Sequence, residues 1–220
     1  MADENTRESL LRTAETLFAE RGIGAVSLRQ IQAAASQRNK SVVQYHFGNK
    51  RGLIEAIFQD RMRENDRRRV ELLDAMPAPG VRDLLRALVY PFAEQLDDPT
   101  RGHYIRFVAQ VVRAPDLWLE GEAQARSAAP GLVRVFEGLR AALPHLPEAI
   151  RNQRLVQVTR QQIHALADRE QELRSAPAGR RPPGSHALFV SNLVDMMAAS
   201  LEAPVSPETR DEIESTAASA

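Results

Sequence analysis

The chain has 220 residues, of which 43% are hydrophobic and 26% charged, a mixture that can bury a core and excludes a disordered tail. It holds no cysteine, which excludes a disulfide framework, a thiolate zinc site and a cysteine nucleophile. Its 29 basic and 29 acidic residues cancel, and an even spread of such charge argues against a nucleic-acid partner. No apolar run approaches the ~18–20 residues that span a bilayer. The polar, acidic start MADENTRESLL is unlike a secretory signal. A soluble cytoplasmic protein is the expectation.

In chain order, nearly every stretch reads as helix. Asn5 or Thr6 caps the first helix, Leu10, Ala14, Leu17 and Phe18 recur at helical spacing, and Gly22 and Gly24 end it. Ser27 caps a second, short helix with Leu28, Ile31 and Ala34/Ala35 on one side. The polar run 36–39 is a turn, and a third helix runs roughly from Lys40 to Tyr45. Asn49 caps a fourth, striped by Leu53, Ile54, Ile57, Phe58 and Met62 and extending as far as Met76. Pro77, Pro79 and Gly80 break the chain there. Helical patterns then cover about 81–96, 102–112, 116–126, 131–143, 148–174 and 185–201, with a weak tail helix at 208–219. Pro91 lies inside a pattern and predicts a kink. The stretch 176–185, rich in Pro and Gly, reads as a mobile loop. The fold class is therefore all-α, with no convincing alternating strand pattern.

The charge is unevenly placed. Between Glu20 and Glu55 no acidic residue occurs, whereas Arg21, Arg29, Arg38, Lys40, Lys50 and Arg51 all lie there. From Arg21 to Ile54 the formal charge is six minus zero, or +6, so the remainder carries −6. A basic, acid-free patch on three short helices with a tight turn fits a helix-turn-helix that binds phosphates. A solvated basic face is the bland alternative.

The residues Ser27 to Ala35 (SLRQIQAAA) and Gln37 to Leu53 (QRNKSVVQYHFGNKRGL) resemble the TetR family of bacterial transcriptional regulators. The Tyr45-His46-Phe47 run with Lys50 three residues on is the most specific part. Leu17-Phe18-Ala19-Glu20-Arg21-Gly22 also fits. The strong resemblance covers about the first quarter of the chain. The turn and third helix are a residue longer than the commonest family pattern.

The resemblance implies an N-terminal helix-turn-helix DNA-binding domain, residues 1–58, and a helical ligand-binding and dimerisation domain, residues 59–220. It implies a third helix in the major groove, presenting Gln37, Arg38, Asn39, Lys40, Ser41 and Gln44. Arg and Lys suit guanine O6 and N7, and Asn and Gln suit adenine. Ser27 is placed for a phosphate through its hydroxyl or the helix-end amides, and Arg29 reaches backbone or a nearby base edge. Tyr45, His46 and Lys50 match phosphate contacts of the family. Tyr45 also reads as half-buried packing, His46 as a surface histidine and Ser27 as a cap alone.

The larger C-terminal part is compatible with the family's effector site and homodimer. Leu155, Val158, Ile163 and Leu166 on helix 148–174, with Leu188, Leu193, Val194, Met197 and Leu201 on helix 185–201, form faces for a two-fold four-helix interface or for the chain's own core. Tyr90, Phe92, His103, Tyr104, Phe107, Trp118, Phe136 and His164 line a pocket or fill the core. Arg106, Arg113 and Gln161 are candidates for orienting a polar group. The five histidines have no metal-ligand spacing, and no catalytic motif occurs, so no metal, cofactor or enzyme activity is expected. The expected function is a homodimeric, cytoplasmic transcriptional repressor that leaves a palindromic operator on binding a small-molecule effector. An all-helical enzyme or an adaptor with a basic patch is the competing class.

Overall fold

The structure, a computed structural model, describes residues 2–36, 42–97, 103–113, 129–176 and 184–218. All regular elements among the described residues are helical. They are α1 (Ala2–Arg21), α2 (Leu28–Ala34), α3 (Val42–Phe47), α4 (Lys50–Asp74), α5 (Val81–Ala93), a 3₁₀ turn (Glu94–Asp97), α6 (Tyr104–Val112), α7 (Pro130–Ala142), α8 (Glu148–Ser175), α9 (His186–Glu202) and α10 (Pro207–Ala218).

The head is built by short-range signals. α1 starts at Ala2, earlier than the expected cap at Asn5 or Thr6, because Asp3 and Glu4 sit in its first turn, where carboxylates complement the helix dipole. It ends where the Gly22 amide donates to the Phe18 carbonyl at 3.0 Å. Ser27 caps α2 as expected: its Oγ accepts from the Gln30 amide at 3.3 Å, while Gln30 Oε1 accepts from the Ser27 amide at 2.8 Å. This is a reciprocal capping box. Ser36, at φ +55°, then turns the chain out of helix.

α3 ends two residues later than the expected 45, because the buried Phe47 joins Val42 and Val43 on the side that faces the core; the expected start at Lys40 lies outside the described residues. Gly48, at φ +71°, reverses the chain into α4. Asn49 Oδ1 caps α4 by accepting from the Gly52 amide at 3.0 Å. A Cβ on Gly52 would lie 2.2 Å from the Phe47 carbonyl oxygen, so the close approach of α3 to α4 requires glycine here.

α4 runs unbroken across the expected 58/59 boundary into the helical body, where it packs on α5 and α7. α5 also packs on α7 and α9; α6 lies between α1 and α8, and α8 lies on α9. Pro91 sits inside α5. It has no N–H to return to the Ala87 carbonyl, and α-helix gives way to the 3₁₀ turn three residues later. One apolar cluster is continuous from Leu10, Phe18 and Ile31 in the head to Leu166, Met197 and Leu201 in the body. No single helix among the described residues is long and apolar enough to cross a membrane.

Candidate functional site

The head presents an exposed face made by the starts of α2 and the outer side of α3. Ser27, Arg29 and Gln44 are exposed, and Tyr45 keeps 77% of its surface in solvent. Among the described residues its ring meets only the edge of His46, at 5.1 Å between centroids, so it is not the half-buried packing residue of the alternative reading. Gln37, Arg38, Asn39, Lys40 and Ser41 lie outside the described residues. Of the described cations in the +6 segment, Arg21 and Arg29 are exposed, and Arg51 is paired with Glu55 at 3.1 Å.

Two expected phosphate contacts are placed differently. The His46 side chain is only 7% exposed and has Nε2 3.3 Å from Asp3 Oδ1, so it is not the surface histidine of the bland reading. The Lys50 ammonium donates to the Ile23 carbonyl and sits 5.7 Å over the Phe18 ring. Burial lowers its pKa from the ordinary lysine value. Both therefore tie the head together in this conformation: Lys50 straps the α1–α2 turn to the start of α4, and His46 holds the N-terminal turn of α1 near α3. Arg7 adds to the second link, with its guanidinium 5.7 Å from the Phe47 ring centroid.

Polar contacts that sequence reasoning missed join head to body. Glu15 on α1 is buried, with Oε2 accepting from Arg61 Nε at 3.1 Å and Oε1 from the His103 amide at 2.8 Å. Burial would lower the Arg61 pKa, but Glu15 together with Glu64 and Asp60 outweighs it and the net shift is upward. Arg106 Nη2 donates to the Ala19 carbonyl at 3.1 Å, and its amide donates to Glu170 Oε2 at 3.3 Å. His103 Nδ1 and Arg174 Nε lie 3.8 and 3.2 Å from Glu170 Oε1. Burial raises the Glu170 pKa against its cationic neighbours, and burial, then Arg174 and Arg106, lower that of His103. A second junction lies deeper: Asp66 accepts from the Gly131 and Leu132 amides, each at 2.8 Å, and from Arg69 Nη1 at 2.9 Å. Asp66 looks like a surface residue in a run as charged as ENDRRRV. Extending the buried positions Ile57 and Met62 by helical steps would have turned Asn65, Asp66 and Arg69 inward.

Of the aromatic candidates, Phe92, Tyr104 and Phe107 are buried together. Phe92 and Tyr104 lie nearly parallel at 6.0 Å, Tyr104 and Phe107 are 6.2 Å apart, and Phe107 meets Phe18 of the head at 6.1 Å. This row begins under Lys50 and ends at the Pro91 turn. Tyr90 and Phe136 are partly buried against the same core. His103 precedes α6 and His164 is half-buried on α8. Arg106 is committed to α1 and α8, Gln161 is half-buried and Arg113 is exposed. Trp118 lies outside the described residues.

The apolar faces expected for a dimer interface or for the chain's own core divide in the structure. Leu155, Val158, Ile163, Leu166, Leu193, Val194, Met197 and Leu201 are all buried within the chain's own core. Leu188 is 62% exposed, joined by Val156 and Met196 at 50% and 51%. Apolar periodicity had shown a buried face without showing what buries it.

The family model for the N-terminal domain of the tetR family of bacterial regulatory proteins matches residues 10–57, and that for a tetracycline repressor-like C-terminal domain matches residues 86–200. No curated protein matches the chain. Among solved structures, a chain assigned as a transcriptional regulator from Streptomyces coelicolor A3(2) is 18% identical, with 88% of this chain and 98% of that one covered at a TM-score of 0.42. A γ-butyrolactone receptor, an ArpA-like protein, is 18% identical, with 99% and 96% covered at a TM-score of 0.45. The second family match alone spans more than half of the chain, and with the helix-turn-helix head it shows that the chain belongs to the TetR family of DNA-binding transcriptional regulators.

Proposed function

We propose that the protein is a homodimeric repressor that leaves its operator when a small molecule binds inside the helical body. The head, residues 1–58, reads DNA, and residues 59–220 sense and dimerise. The observation that carries this reading is the unbroken contact from the DNA face to the body interior: Lys50 over Phe18, Phe18 on Phe107, Phe107 on Tyr104 and Tyr104 on Phe92. Glu15 and Arg106 bind the same two parts by hydrogen bonds. A displacement of α6 or α5 therefore acts directly on α1 and, through Lys50, on the start of α4.

On the DNA side, Gln37, Arg38, Asn39, Lys40, Ser41 and Gln44 read base edges. Ser27, Arg29, Tyr45, His46 and Lys50 hold phosphates, the last two after exchanging their internal partners for the DNA backbone. The exposed apolar residues Val156, Leu188 and Met196 on α8 and α9 mark the dimer face. Two heads related by a dyad fit a palindromic operator with half-sites about 34–36 Å apart, or a multiple of that. The effector acts by preferring a conformation in which the heads are wrongly spaced. A coupling of about 1–3 kcal/mol changes DNA affinity roughly 5–150-fold. The protein acts in the cytoplasm, where its DNA is, and catalyses no reaction.

The test is selection from fragmented genomic DNA followed by a salt titration on the enriched duplex. The expected result is one enriched sequence whose binding weakens steeply as salt rises. Equal binding to every sequence would overturn the proposal.

A further inference from the structure

Four buried side-chain atoms around the Pro91 turn have no hydrogen-bond partner among the described residues: the Tyr104 hydroxyl, Asn65 Nδ2, Arg69 Nε and Gln162 Oε1. Buried polar groups are rarely left so. Each of these residues is otherwise anchored or enclosed. Asn65 and Arg69 are one turn apart on the buried side of α4. Asn65 Oδ1 accepts from Gln95, whose amide also donates to the Pro91 carbonyl at 3.2 Å. Gln162 Nε2 donates to the Leu88 carbonyl at 3.0 Å, one helical turn before Phe92. Phe92 in turn lies flat against Tyr104. Tyr104 and Arg69 are both fully buried, and burial keeps the Tyr104 phenol in its neutral form. α4, α6 and α8 thus carry three unused donors and one unused acceptor on residues joined through α5, by the Gln95–Pro91 and Gln162–Leu88 bonds and the Phe92–Tyr104 stack.

The charge at this place is already balanced. Arg69 is paired with Asp66 and Arg61 with Glu15. A ligand bearing a net charge would bring an uncompensated charge into the interior, at high cost. A neutral ligand with oxygen acceptors for the donors and one hydroxyl for Gln162 meets no such penalty, and an apolar body suits the rings.

Resting on the reading of the body as an effector domain, we infer that the effector is a neutral, largely apolar molecule carrying a carbonyl oxygen and a hydroxyl, held by Asn65, Arg69, Tyr104 and Gln162 against the Phe92–Tyr104 stack. The carbonyl accepts from Tyr104 and the α4 donors, and the hydroxyl donates to Gln162 Oε1.

The test uses the full-length protein and three probes on one ring system: 6-hydroxy-2-acetonaphthone, 6-hydroxy-2-naphthoate and 2-ethylnaphthalene. Binding is measured by calorimetry and thermal shift. The ketone is expected to bind at least about tenfold more tightly than the carboxylate or the hydrocarbon. Tyr104→Phe removes only an unpartnered hydroxyl, so the free protein keeps or gains stability, while ketone binding weakens about tenfold. Gln162→Met is the second variant and weakens the ketone but not the hydrocarbon. Equal or tighter binding of the carboxylate, unchanged ketone binding in both variants, or no binding of any probe at millimolar concentration overturns the inference. DNA binding is followed separately by fluorescence anisotropy. Ketone binding that Tyr104→Phe weakens but that leaves the DNA complex intact supports the site and overturns effector release. Release by a compound whose binding ignores both variants supports release and overturns the site.

Discussion

The Asp66 carboxylate on α4 caps α7 across the body, accepting from the Gly131 amide at 2.8 Å. The adjacent Leu132 amide and the buried Arg69 guanidinium complete its shell. A helix N-terminus is thus finished by a residue 65 positions earlier, in place of a local cap. Asp66→Asn keeps the shape but removes the charge that Arg69 needs. The expected loss is about 3–5 kcal/mol, the cost of leaving a buried ion unpaired, read as a lower urea midpoint at unchanged slope. A loss under about 1 kcal/mol would show that the pair adds nothing beyond its volume.

Glu15 serves two partners, Arg61 and the His103 amide, from one carboxylate. Glu15→Gln retains an acceptor for one of them and loses the ion pair. Because Arg61 is partly exposed, the expected destabilisation is modest, about 1–2 kcal/mol. The sharper readout is hydrogen exchange: amides of α1 and α6 should exchange faster while those of α7 and α9 hold. Uniform acceleration everywhere would place Glu15 in global stability and not in the head–body junction.

Tyr45 and Lys50 should separate in their effects. Tyr45→Phe changes stability by no more than about 0.5 kcal/mol, as expected at an exposed site. It weakens every DNA sequence by about 3–10-fold through the lost phosphate bond. Lys50→Ala weakens DNA likewise but also destabilises the free head, because it cuts the strap to Ile23. Fluorescence anisotropy with parallel thermal melts checks both. Tyr45→Phe binding DNA like the wild type would remove the phosphate role.

His103 and Glu170 make stability depend on pH in two opposed ways. Burial and the neighbouring Arg174 and Arg106 depress the His103 pKa below its ordinary 6.5. The unfolded chain therefore takes up that proton first, and stability falls as pH drops below about 6.5. Glu170 is raised by burial, so the folded chain protonates before the unfolded one and this contribution rises on acidification. His103→Gln removes only the first. Between pH 7.5 and 5.5 the wild type should lose stability relative to His103→Gln, measured by urea unfolding. Parallel profiles would mean that His103 titrates as it does in the unfolded chain.

Leu188 and Met196 are two turns apart on α9 and both exposed. Replacing both by Glu should yield a folded monomer with its helix content intact and with operator affinity reduced at least about 100-fold, since two half-sites no longer bind as one. Light scattering and circular dichroism test it. A variant that stays dimeric would locate the interface elsewhere.

What the sequence made legible was local. Ser27, Asn49, Gly22 and the stripes of α1, α2 and α4 follow from contacts within four residues and appear as expected, while the helix expected over 116–126 lies outside the described residues. The limits of α3 did not, because Val42, Val43 and Phe47 are positioned by α4 and not by their own propensities. For α8 and α9 the period showed which side is apolar but not which of its residues the chain itself covers: Leu155 and Met197 are buried in its own core, whereas Leu188 stays exposed. Glu15, Asp66 and Arg69 were invisible for the opposite reason: a charged residue reads as surface until its partner, 46 residues away for Glu15 and Arg61, is brought beside it.

The continuity of α4 has a mechanical consequence. Lys50 and Asp66 are sixteen residues apart on one uninterrupted helix, a rigid lever arm of about 24 Å. A tilt of about 5° pivoting at the Asp66 cap swings the Lys50 end by about 2 Å. In a two-fold dimer the opposed swings add, changing the distance between heads by about 4 Å, roughly one base-pair step along the duplex. Under the proposed release mechanism, nothing in the head would need to melt: the two reading helices would only fall out of phase with the DNA.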